Sequence, residues 1–212
     1  QPTITPMKIH KHIDLPQGRI LIARVEPQAE NSPLLTDEDR EHLATLSAPA
    51  RRAQWSSCRE ILRAELGCEA GLRYATSGAL ILTHPVGRVR YVSISHSDKW
   101  VAVMLSEKRC GVDIESLGRN FSRVASRYIS HEERDRFESQ VGADFEAIMW
   151  SAEEALYKYG SNPGLDFIQD MVITGFDTER GVISAELYGL TTPPIHYTLF
   201  DGQVLCYLSE DK

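Results

Sequence analysis

The chain has 212 residues, 42% hydrophobic and 25% charged, an ordinary globular composition with room for one large domain or two small ones. A formal net charge of −7 argues against a general nucleic-acid or anionic-membrane binder, which needs a basic face, and no apolar run approaches the roughly 20 residues of a membrane span. The cysteines Cys58, Cys68, Cys110 and Cys206 are scattered with no Cys-x-x-Cys pair and no secretory signal is recognisable, so they read as reduced thiols of a cytosolic (cytoplasmic) protein.

Residues 1–18 are polar, hold three prolines and the pair His10 and His12, and are expected to fray, although alternate histidines can take a stray metal. Arg-Ile-Leu-Ile-Ala-Arg-Val-Glu at 19–26 predicts a strand. Thr36, with Asp37, Glu38 and Asp39 after it, predicts a capped helix start. The segment 48–66, with Pro49 in its first turn and Gly67 past its end, predicts a second helix. Its Arg51, Arg52, Arg59 and Arg63 make it the most basic segment of an acidic chain. Arg52, Arg59 and Arg63 can share one face, which reads either as solvated surface or as a grip for phosphate. A hairpin over 72–74 and 79–83 and strands over 91–97, 100–105 and 111–115 follow. Helices are expected over 121–128, 131–138 and 144–159, Ser130 and Glu133 marking the second start. Strands at 171–176, 181–188, 195–200 and 203–208 close the chain, the last two joined at Asp201-Gly202. Val101-Ala-Val-Met-Leu-Ser106 resembles Val204-Leu-Cys-Tyr-Leu-Ser209, a hint that an α+β unit occurs twice, over 1–106 and 107–212.

The chain is organised around Gly111-Val112-Asp113-Ile114-Glu115. In an extended strand Val112 and Ile114 point one way and the two carboxylates the other. Adjacent like charges call for a cation between them or a bound proton, and a divalent metal is the simplest resident; the plainer account is a strand with one wet face. His96 lies nearby in sequence, within Ser93-Ile-Ser-His-Ser97. In Trp150-x-x-x-Glu154-x-x-x-Lys158 the spacing of four sets three side chains on one helix face, either as a surface ion pair or as part of a site.

Taken in order, these three segments resemble the 4′-phosphopantetheinyl transferase superfamily, in its two-domain, surfactin-synthetase-activating class. Arg119, just beyond the acid strand, and Arg127-Tyr-Ile-Ser130 with Glu133 add to the likeness. The resemblance implies two similar α+β halves related by a pseudo-two-fold, facing each other across a cleft that takes coenzyme A and magnesium. It implies transfer of 4′-phosphopantetheine to a serine of an apo acyl or peptidyl carrier protein. Asp113, Glu115 and Glu154 are then metal ligands, Glu154 the proton acceptor, and Lys158 and a cationic His96 the phosphate holders. Arg52 and Arg59 become candidates for the 3′-phosphate. A pseudo-dimer of this kind is expected to be a monomer.

Two positions depart from that family. Glu153 stands where a lysine usually precedes the helix Glu, and Gly78-Ala79-Leu80 replaces a Gly-Lys-Pro turn, with Arg88 or Arg90 as substitutes. Weaker coenzyme A binding is expected, and lysine at 153 should lower the KM for it. A non-catalytic protein that binds coenzyme A or carrier, and a metal-dependent diphosphate hydrolase, remain the alternatives. Arg119, Arg123 and Arg127, four apart, suggest a helical basic stripe for an acidic carrier, or else partners for Glu132, Glu133 and Asp135.

Overall fold

The computed structural model describes residues 7–211, a mixed α/β chain of the α+β kind. The strands are Ile9–Leu15 (β1), Gly18–Arg24 (β2), Leu72–Tyr74 (β3), Leu80–Leu82 (β4), Tyr91–Ser97 (β5), Trp100–Ser106 (β6) and Cys110–Ser116 (β7), then Met171–Asp177 (β8), Val182–Leu187 (β9), Leu190–Thr191 (β10), Ile195–Phe200 (β11) and Gln203–Ser209 (β12). The helices are Asp37–Ala44 (α1), Pro49–Leu66 (α2), His131–Val141 (α3) and Phe145–Gly160 (α4).

One sheet runs β1-β2-β6-β5; a second runs β10-β9-β11-β12-β7, with β8 on β9; β3 and β4 form a separate hairpin. The two large sheets stack, and a long helix covers the outer face of each. Leu21, Val101, Val103 and Leu105 pack on Ile61 and Leu62 of α2. Ile20, Ile22, Ala102 and Met104 meet Val112, Ile114 and Leu205 between the sheets. Ile173, Val204 and Cys206 pack on Ile148, Ala152 and Leu156 of α4. Every residue of β6 is buried, which is why it is a continuous apolar run with no alternation. The capping boxes expected at Thr36 and Ser130 both form, with Asp39 and Glu133 as reciprocal partners.

Two expectations are corrected. The first is the frayed start over 1–18: residues 1–6 lie outside the described residues, and residues 9–15 pair with β2. Their inward phase includes half-buried Lys11, which breaks the apolar pattern, while His10 and His12 lie on the wet side and His10 Nε2 pairs with Asp201 at 2.9 Å. The second is the helix over 121–128, which is reduced to one 3-10 turn at Ala125–Arg127. Asn120 Oδ1 accepts from the Ser122 amide, a local bond that competes with helix, and Phe121, Ala125 and Tyr128 are each pinned in the core. The helical stripe of Arg119, Arg123 and Arg127 is therefore absent.

β5 and β7 are edge strands of different sheets lying side by side, and serine side chains join them. Ser93 Oγ accepts from the Val112 amide at 3.1 Å and Ser95 Oγ from the Ile114 amide at 3.2 Å. Ser97 Oγ donates to Gln203 Oε1 at 2.7 Å. A hydroxyl supplies both donor and acceptor, so Ser93 and Ser95 satisfy amides of the facing β7 that would otherwise be orphaned, while Ser97 reaches the Gln203 side chain of β12.

Candidate functional site

Gly111 sets the position of α4 over β7. A Cβ built on it would lie 2.0 Å from the Ala155 carbonyl oxygen, so only glycine admits this approach. Val112 and Ile114 point into the inter-sheet core, and Asp113 and Glu115 project on the same face as Gly111, toward the helix. Successive turns of α4 meet them in register. Trp150 Nε1 donates to Glu115 Oε1 at 2.9 Å, and Lys158 Nζ donates to Asp113 Oδ1 at 2.8 Å and to the Val112 carbonyl at 3.0 Å. Glu154 occupies the turn between. Trp150 is braced by Tyr128 and Phe167, at centroid distances of 5.0 and 6.1 Å.

Asp113 is 3% exposed; its Oδ1 takes hydrogen bonds from Ser95 and Lys158, while Oδ2 is buried with no partner. Burial and then the Asp113 charge raise the Glu115 carboxyl above its ordinary range, against the pull of Arg119 and Trp150. Burial first and Asp113 second push Glu154 up to about 7. Among the described residues no group of three or more His, Cys, Asp or Glu stands ready to hold a metal ion. The chemistry of the donors nevertheless suits a hard cation: Asp113, Glu115 and Glu154 line one cavity, a buried oxygen of Asp113 is unpartnered, and a divalent ion would relieve the repulsion among their charges.

The opposite wall comes from β5, α2 and β3. A cavity of about 320 Å³ is bounded by His96, Arg51, Trp55 and Tyr74 on one side and by Asp113, Glu115, Glu154 and Lys158 on the other. Arg51 Nη1 lies 3.2 Å from His96 Nε2, and because a guanidinium only donates, that ring nitrogen accepts. Burial, then Arg51 and Lys158, lowers the His96 pKa below the ordinary histidine value, so His96 is neutral near pH 7 and the fixed positive charge on this wall is Arg51. Cys58, also on the wall, is an inert thiol, pushed up to about 12 by burial.

Arg52 and Arg59 do not border this cavity. Arg52 donates to Glu30 at 2.8 Å, to the Leu43 carbonyl at 2.7 Å and to the Leu46 carbonyl at 3.2 Å, fastening the chain before α1 to the end of that helix and the turn after it. Arg59, 4% exposed, pairs with Asp39 and stacks on Trp55 at 4.7 Å, behind the wall; its buried Nη1 has no partner. Arg63 takes both oxygens of Asp39. Glu153 is fully buried, one residue and about 100° round the helix from Glu154, in the core beside Glu133 and away from the phosphate-facing wall expected for it. Arg88 is taken by Glu107, whereas Arg90 reaches the rim of a second cavity. Sequence spacing missed Arg51 as a wall residue and Ser95 as the holder of Asp113.

The model of the 4′-phosphopantetheinyl transferase superfamily matches residues 109–207, just under half the chain, from β7 through most of β12. That stretch, which contributes the acids and α4, is similar to that superfamily. No curated protein matches the chain.

Proposed function

We propose that this protein transfers 4′-phosphopantetheine from coenzyme A to a serine hydroxyl of an apo acyl or peptidyl carrier protein, with magnesium, releasing 3′,5′-ADP. The observation that carries this reading is the register of α4 on β7, which sets Glu154 between the Trp150–Glu115 and Lys158–Asp113 contacts. Residues 1–106 and 107–212 are then the two similar halves related by a pseudo-two-fold, with the reaction in the cleft at their seam. Each half ends in a strand flanked on both sides, β6 or β12, and each is backed by a long helix.

Asp113, Glu115 and Glu154 would hold magnesium, which when bound neutralises charge on the pyrophosphate of coenzyme A. Glu154, which shares the cavity with the acids of β7 and with Lys158, accepts the serine proton as general base. The serine oxygen bonds to the β-phosphorus, the bond from that phosphorus to the bridging oxygen breaks, and 3′,5′-ADP leaves with the electron pair. Lys158 uses two of its three N–H donors within the protein and keeps one for a phosphate oxygen. His96 orients Arg51, which faces the phosphates from the first half. The aromatic and basic wall of Trp55, Tyr74 and Arg51 suits the nucleotide, with Arg59 behind it. We place the protein in the cytoplasm as a monomer.

Chromatography of a reaction containing coenzyme A, magnesium and apo carrier tests the reading. Release of 3′,5′-ADP should require all three. Release without carrier would indicate a hydrolase. A non-catalytic protein that binds coenzyme A is the second reading, favoured by the Lys158 ammonium already bound to Asp113; binding without release would select it.

A further inference from the structure

The two acids of β7 are each matched by a cation of the chain itself. Lys158 Nζ lies 2.8 Å from Asp113 Oδ1, and Arg119 Nη1 lies 2.8 Å from Glu115 Oε1. A divalent ion placed among Asp113, Glu115 and Glu154 therefore meets like charge close by, and one of the internal cations has to give way. The two are held differently. The Arg119 guanidinium is clamped over the rings of Phe121 and Trp150, at 5.0 and 5.5 Å, and Trp150 donates to the same Glu115 oxygen. Lys158 ends a flexible four-carbon stem, and it borders both the charged cavity and a neighbouring one of about 720 Å³. Asp113 does not depend on it for its aim: Ser95 Oγ donates to the same oxygen at 2.8 Å.

We infer that Lys158 is the built-in counter-ion of Asp113 and is exchanged for the divalent ion when coenzyme A binds. The inference rests on the proposed transfer reaction, which brings a pyrophosphate to the free N–H of Lys158. Drawn to a phosphate oxygen, the ammonium keeps the Val112 carbonyl, now at 3.0 Å, and gives up Asp113 Oδ1 to the metal. The metal alone repels the ammonium without offering it a new acceptor; the pyrophosphate offers one. Asp113 stays aimed through Ser95 while its cation changes. Lys158 thereby couples the two ligands, and by linkage each strengthens the binding of the other by the same factor. The same exchange accounts for an ammonium that is bound to Asp113 in a chain built to transfer.

Manganese(II) is the probe, titrated into the protein without and with coenzyme A in the absence of carrier. Bound ion is followed by electron paramagnetic resonance, with a protein-free coenzyme A blank subtracted. Lys158→Gln removes the charge and keeps a donor for the Val112 carbonyl. Without coenzyme A it should bind manganese about tenfold tighter than the unmodified protein or better, because a unit charge beside the ion has gone. Its gain in manganese affinity on adding coenzyme A should be smaller than that of the unmodified protein. Lys158→Met repeats the test should the glutamine variant fold poorly, and Lys158→Arg, which retains the charge, should not share the gain. Manganese binding by the neutral variants that is equal to or weaker than the unmodified protein's, or an equal gain in Lys158→Arg, would overturn the inference. Carrier loading by the unmodified protein would then leave the transferase reading standing. No manganese bound by any form, even with coenzyme A present, would overturn both.

Discussion

Ser95 holds Asp113 in place: its hydroxyl donates to Oδ1 at 2.8 Å while accepting from the Ile114 amide at 3.2 Å. One side chain thus closes the seam between the sheets and aims the acid's other oxygen. Ser95→Ala removes both bonds and leaves a buried amide unsatisfied, at a cost of about 1–3 kcal/mol. A lower Tm together with a raised requirement for magnesium in carrier loading is the expected pair of effects; a stability loss with an unchanged magnesium dependence would show that Ser95 closes the seam only.

Gly111→Ala tests the approach of α4 to β7. With the Ala155 carbonyl 2.0 Å from the added carbon, the helix must move off the strand, separating Lys158 from Asp113 and Trp150 from Glu115. Loading should fall by two orders of magnitude or more in protein that still gives a folded circular dichroism spectrum. Near-normal activity would mean that this register is not needed.

The first-half wall makes a prediction about two adjacent arginines. Arg51 faces the cavity and Arg52 is spent on Glu30 and two carbonyls. Arg51→Ala should raise the KM for coenzyme A about tenfold with little change in Tm, whereas Arg52→Ala should lower Tm and leave that KM alone. The reverse pattern would place the anion site on the other face of α2.

Glu153 makes stability depend on pH. Burial first, then the charges of Glu133 and Glu154, raises its carboxyl well above the ordinary range, so the folded state holds a proton that the unfolded chain releases. Its stability contribution is full below the unfolded pKa of about 4.5 and is lost as pH climbs through the raised folded value. Glu153→Gln, followed by thermal unfolding in a chelator, should therefore raise Tm at pH 8 by a few degrees, with the gap closing toward pH 5. A pH-independent difference would contradict this. Lysine at 153 should pair with Glu133 and leave the KM for coenzyme A unchanged, contrary to the expectation from sequence.

Most elements were legible because their signals are local: Thr36 and Ser130 cap their helices, Asp201-Gly202 turns its hairpin, and the alternation in Gly111–Glu115 sends the acids to one face. What the sequence concealed depends on partners far along the chain. Nothing near Arg52 announces that Glu30 will take it, and nothing near Arg59 announces Asp39. Residues 9–15 hid as a strand because Lys11 occupies the inward phase. Glu153 and Glu154 look equivalent in sequence, yet one helical step sends the first into the core and the second into the cavity. The alternate serines of β5 were visible, but their purpose requires a second sheet edge beside them.

The most direct measurement is the intact mass of an apo carrier protein after incubation with coenzyme A and magnesium, from a panel spanning fatty-acid, polyketide and peptide synthesis, with Asp113→Ala as control. The account expects at least one carrier to gain a single phosphopantetheine, with the gain abolished by chelator and by Asp113→Ala. No gain across the panel from folded protein that binds coenzyme A, or an equal gain with Asp113→Ala, would contradict it.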